Sequence, residues 1–391
     1  MIIELALDFI GVLLLIPVSV LFVQVFFACW PRSINGTLAQ ADFKTAVLVP
    51  AHNEAAGIAA TLDSIRKQLK PGDRLLVVAD NCTDNTAAIA IAKGAEVIER
   101  HDTQHRGKGY ALAFGIACLA KNPPSIVVII DADCNIAEHA LNMLASFAAC
   151  RNRPVQGLDL MLALPDAVFK TRIAEFAWIV KNRVRPRGYA KLGLPCQLMG
   201  TGMAFPWEII SRANLANGNI VEDLKLGIDL CEHGQAPIFL EDALVTSYFP
   251  GNARAQAHQR IRWEHGHLAT ILAEAPQLFW HAVSRLDKNL LGMAFDLCVP
   301  PLALLSAMIS GYLMLAGLAW LAGASSLPML LAWVALATLA CTILLAWWGW
   351  GRHIISLFTL LLVPVYVLTK IPYYFSFLIK RQTKWVRTER K

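Results

Sequence analysis

Several apolar runs in this chain end in residues able to do chemistry. Asp131-Ala132-Asp133 follows the run Ile126–Ile130. Two carboxylates two residues apart at a strand end can turn toward one divalent cation, and hard cations such as Mg²⁺ or Mn²⁺ take oxygen ligands and share them with substrate phosphates. An Asp-x-Asp pair also occurs in ordinary solvated loops, so its weight comes from the buried-looking strand before it. The run Val77–Ala79 ends in Asp80-Asn81, a carboxylate and an amide suited to the polar edge of a base or ribose. With Thr83 and Asp84 the same stretch also makes an Asx-turn and a helix cap. Arg106-Gly107-Lys108-Gly109 precedes the helical run Tyr110–Ala120. That places backbone amides and a lysine near a helix N-terminus, where a diphosphate can rest. It lacks the P-loop pattern, and a flexible basic turn is the alternative.

Farther on, Val221-Glu222-Asp223 sets adjacent acids before the amphipathic stretch Leu224–Leu230. One of them can serve as a general base, although acids also gather in a helix's first turn for electrostatic reasons alone. Gln259-Arg260-Ile261-Arg262-Trp263 combines an amide, guanidinium groups and an indole beside a strongly apolar region, a composition shared with plain membrane-interface anchors.

The elements that must carry these residues are short apolar runs alternating with helix-like stretches from about Phe43 to about Leu244, as expected of βα units around a largely parallel sheet. Ala46–Pro50, Leu75–Ala79 and Val127–Ile130 read as strands, ending in His52-Asn53-Glu54, Asp80-Asn81 and Asp131-Ala132-Asp133. Ligands of open α/β sheets sit beyond the carboxyl ends of the strands, so three polar strand ends predict one shared site. Ala55–Leu69 and Asn85–Lys93 read as helices, the second capped by Thr83 or Asp84.

Of 391 residues 56% are hydrophobic and 16% charged, too apolar for an ordinary soluble enzyme. Residues 5–29 form an apolar run of about the ~20 residues that cross a hydrocarbon core. Glu4 and Asp8, and the absence of a basic start, favour a retained anchor over a cleaved signal. Near-continuous apolar sequence returns at about 291–322, 328–350 and 354–379. Three full C-terminal crossings would separate the basic tail Lys380–Lys391 from the catalytic face, against the positive-inside tendency. The segment 354–379, broken by Pro364 and Pro372 and carrying Lys370, is therefore expected to be interfacial or re-entrant. Residues 251–391 hold 13 lysines and arginines against five acids, which suits an anionic lipid surface; nothing suggests nucleic acid. The nine cysteines are spread singly, without zinc spacing, as reduced cytoplasmic thiols would be.

In order and spacing, His52-Asn53-Glu54, Asp80, Asp131-Ala132-Asp133, Glu222-Asp223 and Gln259-x-x-Arg262-Trp263 resemble the motif series of membrane-integrated family 2 glycosyltransferases. That group includes polysaccharide synthases and ceramide glucosyltransferases. The resemblance covers residues 44–267 and implies a GT-A nucleotide-diphospho-sugar transferase fold, mostly parallel sheet with flanking helices, beside transmembrane and interfacial helices. It implies that Asp80 contacts the uracil of a UDP-sugar and that Glu54 lines the same pocket. Asp131 and Asp133 would hold Mg²⁺ or Mn²⁺ on the diphosphate, with Asp133 the more direct ligand. Lys108 would favour the diphosphate. Asp223 would be the base of an inverting displacement. Glu222, Gln259, Arg262 and Trp263 would border the acceptor and leaving diphosphate, and Gly202, within Gly200-Thr201-Gly202-Met203, the acceptor floor. The chain departs from the pattern at Ala79-Asp80, where many relatives carry two acids, and at Asn81-Cys82.

The expected organisation is an N-terminal anchor at 1–32, a cytoplasmic catalytic domain at 43–250, interfacial helices at 251–290, a membrane region of two or three helices at 291–379 and a cytoplasmic tail at 380–391. The expected activity is transfer of a sugar from a UDP-sugar to a lipid or lipid-linked acceptor at the inner leaflet of a cell inner membrane. The alternative is a processive polysaccharide synthase extending a growing glycan as a homo-oligomer or with partner subunits. The short membrane region favours the first and Gln-x-x-Arg-Trp the second. A nucleotide-binding receptor is disfavoured by the full set of acids, and a transporter by the few ionisable residues in the C-terminal segments.

Overall fold

The computed structural model describes residues 2–31, 43–251 and 253–379. The basic tail expected at 380–391 lies outside the described residues. The chain divides into two compact units.

One unit comprises residues 43–162 and 194–255. It is built on an eight-stranded sheet: β1 (Thr45–Ala51), β2 (Arg74–Asp80), β3 (Glu96–Arg100), β4 (Ile126–Ile129), β5 (Asn135–Ile136), β6 (Val155–Leu162), β7 (Met203–Pro206) and β8 (Ile238–Tyr248). The spatial order is β3-β2-β1-β4-β7-β6-β8-β5. Strands β3, β2, β1 and β4 run parallel, β7 is antiparallel to both β4 and β6, and β8 is parallel to β6. The three strands legible in the sequence are continuous apolar runs because both of their faces are covered, as parallel strands require. Val47, Val49, Val77 and Val128 face Ile58, Leu62, Leu141 and Leu144, whereas Leu48, Leu76, Val78, Val127 and Ile129 face Leu112, Ile116 and Leu119. Each fully buried leucine or isoleucine contributes about 2 kcal/mol. On the second face the helix Lys108–Leu119 approaches closely, since a side chain at Gly115 would meet Leu48 Cδ1 at 2.5 Å.

The helix expected over Ala55–Leu69 spans Ile58–Arg66, because Asn53 at φ 54° and the turn before Gly57 hold the start of the stretch non-helical. Asn85–Lys93 is realised as Thr86–Ala92, with Asp84 Oδ1 accepting from Thr86 N at 3.0 Å.

The other unit comprises residues 1–31, 163–193 and 256–382. Ile2–Ala28, Leu302–Leu321 and Leu327–Gly351 are long and apolar enough to cross a membrane. The stretch 354–379 is broken into Leu357–Leu361, Val363–Leu368 and Ile371–Ile379, with Pro364 and Pro372 in the first turns of the latter two, where proline is tolerated but ends any preceding helix. Each piece is too short to span. The unit is pinned by a buried polar group: Arg185 Nη2 donates to Asp296 Oδ1 at 2.7 Å, Arg185 Nε to Gln24 Oε1 at 3.0 Å, and Gln24 Nε2 to Asp296 Oδ1 at 2.5 Å. Removing one partner leaves a buried charge behind, so Asp296→Ala is expected to destabilise the protein by about 3–5 kcal/mol. Asp296→Asn, which keeps hydrogen-bonding atoms in place, is expected to cost less; thermal unfolding in detergent compares the two.

Candidate active site

The parallel register places the carboxyl ends of β1, β2 and β4 side by side, and their polar ends are stitched together. His52 Nδ1 lies 2.6 Å from Asp80 O, Thr83 N donates to Asn53 Oδ1 at 2.7 Å, and Glu54 N donates to Thr86 Oγ1 at 2.8 Å. Asp80 ends β2 opposite Arg100, the last residue of β3. Arg100 Nη1 donates to Asp80 Oδ1 at 2.7 Å, and both residues are buried.

A second cluster forms around Lys108, the first residue of its helix. Lys108 Nζ forms an ion pair with Asp131 Oδ1 and donates to Gly200 O at 2.7 Å. Burial pulls its pKa down, but Asp131, Glu222 and Asp223 outweigh that and hold it above the ordinary lysine value. Glu222 and Asp223 open the helix Glu222–Glu232. Burial, reinforced by the Asp223 carboxylate, pushes Glu222 from its ordinary value of 4.5 up to about 7. Gly200 has φ 95°, and a side chain there would stand 3.2 Å from Asp223 Oδ2 and 3.4 Å from Lys108 Nζ, so the site demands glycine for both backbone and space. Gly202 (φ 65°) gives its carbonyl to Gly157 N at 2.8 Å. Thr201 Oγ1 accepts from Asp131 N at 3.1 Å, and Gln156 Nε2 donates to Thr201 O at 2.9 Å, tying the glycine loop to β6.

Among the described residues no three His, Cys, Asp or Glu side chains form a metal-holding group. The Asp131-Ala132-Asp133 turn instead offers two carboxylates after β4, and its backbone is closed by Cys134 N donating to Asp131 O at 3.2 Å. Burial raises the Cys134 thiol well above its ordinary pKa, so it stays protonated and is no ligand. Hard oxygen donors that fill only part of a coordination shell fit Mg²⁺ or Mn²⁺ sharing phosphate oxygens.

The structure thus gathers Lys108, Asp131, Glu222, Asp223 and the Gly200–Gly202 loop, with Asp133 on the same turn as Asp131 and Glu54 stitched to the Asp80 side. Gln259, Arg262 and Trp263 lie on the helix Ala253–Arg285 in the other unit, where Gln259 is buried and the Trp263 ring lies 5.0 Å from that of Trp178. Residues not anticipated from the sequence are Arg100 and Gln156, and Thr201 was named only within the glycine tetrapeptide. An arginine closing the short run Glu96–Arg100 was the only available signal for the first.

Residues 42–266, more than half of the chain, match the sequence model of the family described as Glycosyltransferase like family 2. The chain belongs to this family. Uncharacterised glycosyltransferases of Mycobacterium bovis and Mycobacterium tuberculosis are 29% identical to the transferase over 187 residues, 45% of this chain and 81% of each relative. The mannosyltransferase PcManGT of Pyrobaculum calidifontis, solved with GDP-Man and Mn²⁺, is 18% identical with a TM-score of 0.51. That likeness covers 86% of this chain and 99% of PcManGT. At that identity it establishes the GT-A fold, which the mixed sheet and flanking helices display.

The raised pKa of Glu222 makes the transferase's stability depend on pH. The unfolded chain gives up this proton near 4.5 and the folded one near 7, so the contribution is complete below pH 4.5 and falls as pH rises through that window. Glu222→Gln is expected to flatten the decline in unfolding midpoint between pH 4.5 and 7.5; an unchanged slope contradicts the assignment.

Proposed function

We propose that the protein transfers a sugar, with inversion, from a UDP-sugar to a lipid or lipid-linked acceptor at the cytoplasmic face of a cell inner membrane. The observation that carries this reading is the meeting of Lys108 and Asp131 with Glu222 and Asp223 at the strand-end site. It supports a cation for the diphosphate beside an acid that would abstract the proton. The three apolar helices supply the membrane side of the reading, with Ile2–Ala28 as anchor, residues 43–250 as the catalytic domain and 251–290 as interfacial helices.

In this mechanism Asp80 and Glu54 receive the nucleoside. Lys108 draws the diphosphate toward the helix N-terminus. Asp223 takes the proton of the acceptor hydroxyl as its oxygen bonds to the anomeric carbon, and the sugar–phosphate bond breaks on the opposite side with its electron pair leaving on UDP. Asp133 and Asp131 would hold a divalent ion, which would supply positive charge to the departing diphosphate. The Gly200–Gly202 loop floors the acceptor, and Glu222 borders it. The Gln259-x-x-Arg262-Trp263 element favours a second reading, a processive synthase working as an oligomer or with partner subunits.

The decisive assay incubates the purified protein in native lipid with radiolabelled UDP-sugars, and GDP-mannose because PcManGT was solved with it, in the presence of Mn²⁺ or Mg²⁺. A small organic-extractable product supports the lipid reading and a high-mass ladder the synthase reading. Absence of metal-dependent turnover with every donor defeats both.

Asp223→Asn is expected to keep UDP affinity within about threefold while turnover falls by about 10²–10⁴, the usual reach of general-base catalysis. Asp133→Ala is expected to weaken UDP binding in Mn²⁺ and to abolish its sensitivity to chelator. Isothermal titration beside initial rates separates the two effects.

A further inference from the structure

In parallel strands, residues in register project to the same face about 4.8 Å apart. Asp80 and Arg100 are such a pair at the last rung of β2 and β3. Their side chains are only 9% and 10% exposed, so the ion pair is little screened by water. The guanidinium also donates through Nη2 to Asp102 Oδ2 at 2.9 Å and to the carbonyl of His105 at 2.8 Å, and it lies 5.6 Å from the centre of the Tyr110 ring. Asn81, at φ 51°, completes the frame: its Nδ2 donates to Asp80 Oδ1 at 3.0 Å, its Oδ1 accepts from Asp102 N at 2.9 Å, and its backbone N donates to Arg100 O at 2.7 Å.

Two consequences follow from this geometry. Among the described residues both donors to the Asp80 carboxylate use Oδ1, which fixes the plane of the group and leaves Oδ2 to a ligand. The same guanidinium holds the turn at Asp102–His105, which leads directly into Lys108. One buried cation therefore sets both the carboxylate that meets the nucleoside and the approach to the lysine that meets the diphosphate.

We propose that Arg100 is a positioning residue for the nucleotide half of the donor, acting through Asp80 and through the 102–107 turn without touching the reacting atoms. The proposal rests on the reading of Asp80 as the nucleoside contact. It assigns Arg100 to donor affinity, with little influence on the chemical step once donor is bound.

The test measures UDP binding by isothermal titration with Mn²⁺, and donor KM and kcat, on the full-length protein in lipid nanodiscs. Arg100→Met is expected to raise the UDP Kd and the donor KM by about 10- to 100-fold, the range for losing hydrogen bonds to a charged group, with kcat at saturating donor changed by less than about threefold. The double variant Asp80→Asn with Arg100→Met is expected to bind UDP at most about 10-fold more weakly than Asp80→Asn alone, the share of the 102–107 turn, because the rest of the Arg100 effect passes through Asp80. A merely structural role would make the losses additive, and that result overturns the proposal. Arg100→Lys keeps a cation for Asp80 but cannot bridge to Asp102 and His105 together, so a rise of about 3- to 10-fold is expected. Wild-type UDP affinity in Arg100→Lys overturns the proposal even if Arg100→Met fails to fold. If Asp80→Asn itself leaves UDP binding unchanged, the nucleoside reading falls and this inference with it. If Asp80→Asn weakens UDP while Arg100→Met does not, only the role of Arg100 is refuted.

Discussion

Asp131, Glu222 and Asp223 converge on a single ammonium, that of Lys108, with Asp133 two residues beyond Asp131. Like charges about 4 Å apart near a protein surface repel by about 4 kcal/mol, so such a group cannot remain fully ionised without help. Part of the help is visible: Lys108 pairs with Asp131, and Glu222 holds its proton up to about 7. A divalent cation, which Asp131 and Asp133 would hold, would add the charge that lets an anionic diphosphate enter beside these acids. The fold serves this cluster directly. Glycines at 109 and 200 let backbone come within side-chain distance: a methyl group at Gly109 would overlap the Leu215 carbonyl, and one at Gly200 would crowd Asp223 and Lys108.

How much of this was legible in the sequence depended on how each residue is held. Strands β1, β2 and β4 were readable because burial on both faces leaves an uninterrupted apolar signature. Strand β3 was not, since Glu96–Arg100 lies at the sheet edge with charged residues at both ends and carries no such run. Its register nevertheless decides where Arg100 stands, and register is a property of two strands that neither displays alone. The candidate residues were found by chemical type and order: Asp80, Lys108, Asp131 and Asp223 are conspicuous at apolar boundaries. Their supports were hidden, because Gln156 and Thr201 work through backbone contacts that polar residues make in any fold. The antiparallel insertion of β7 between β4 and β6 was equally invisible in a four-residue strand.

The apolar unit answers to a different constraint. Its helices gain little from hydrophobic contrast wherever they face lipid, so packing and buried polar pairs must specify their arrangement. Gln24, Arg185 and Asp296 satisfy one another, and Gly188 lets the Arg185–Lys191 helix lie against the Gln24 backbone, where any side chain would overlap the Gln24 carbonyl. Close backbone approach and a matched polar group therefore coincide at one point. Gln24 alone among these lies within a segment apolar enough to span a membrane, and it would be costly there without its partners.

The neighbouring acids Glu222 and Asp223 show how one helix turn can divide two roles. Successive helical residues point about 100° apart, so the two side chains leave the helix in different directions. The Glu222 side chain lies against Gly109, with its Cβ 3.6 Å from where a side chain there would begin, whereas Asp223 Oδ2 lies toward Gly200. In the proposed mechanism only the second direction offers a carboxylate to an acceptor hydroxyl resting on the glycine loop. A fully ionised Glu222 would then add repulsion both to the base beside it and to the diphosphate drawn by Lys108. Retaining its proton up to about 7 lets it border the site with a weaker field and still donate a hydrogen bond. In that mechanism the pair divides into one base and one tuned neighbour and is not two interchangeable acids.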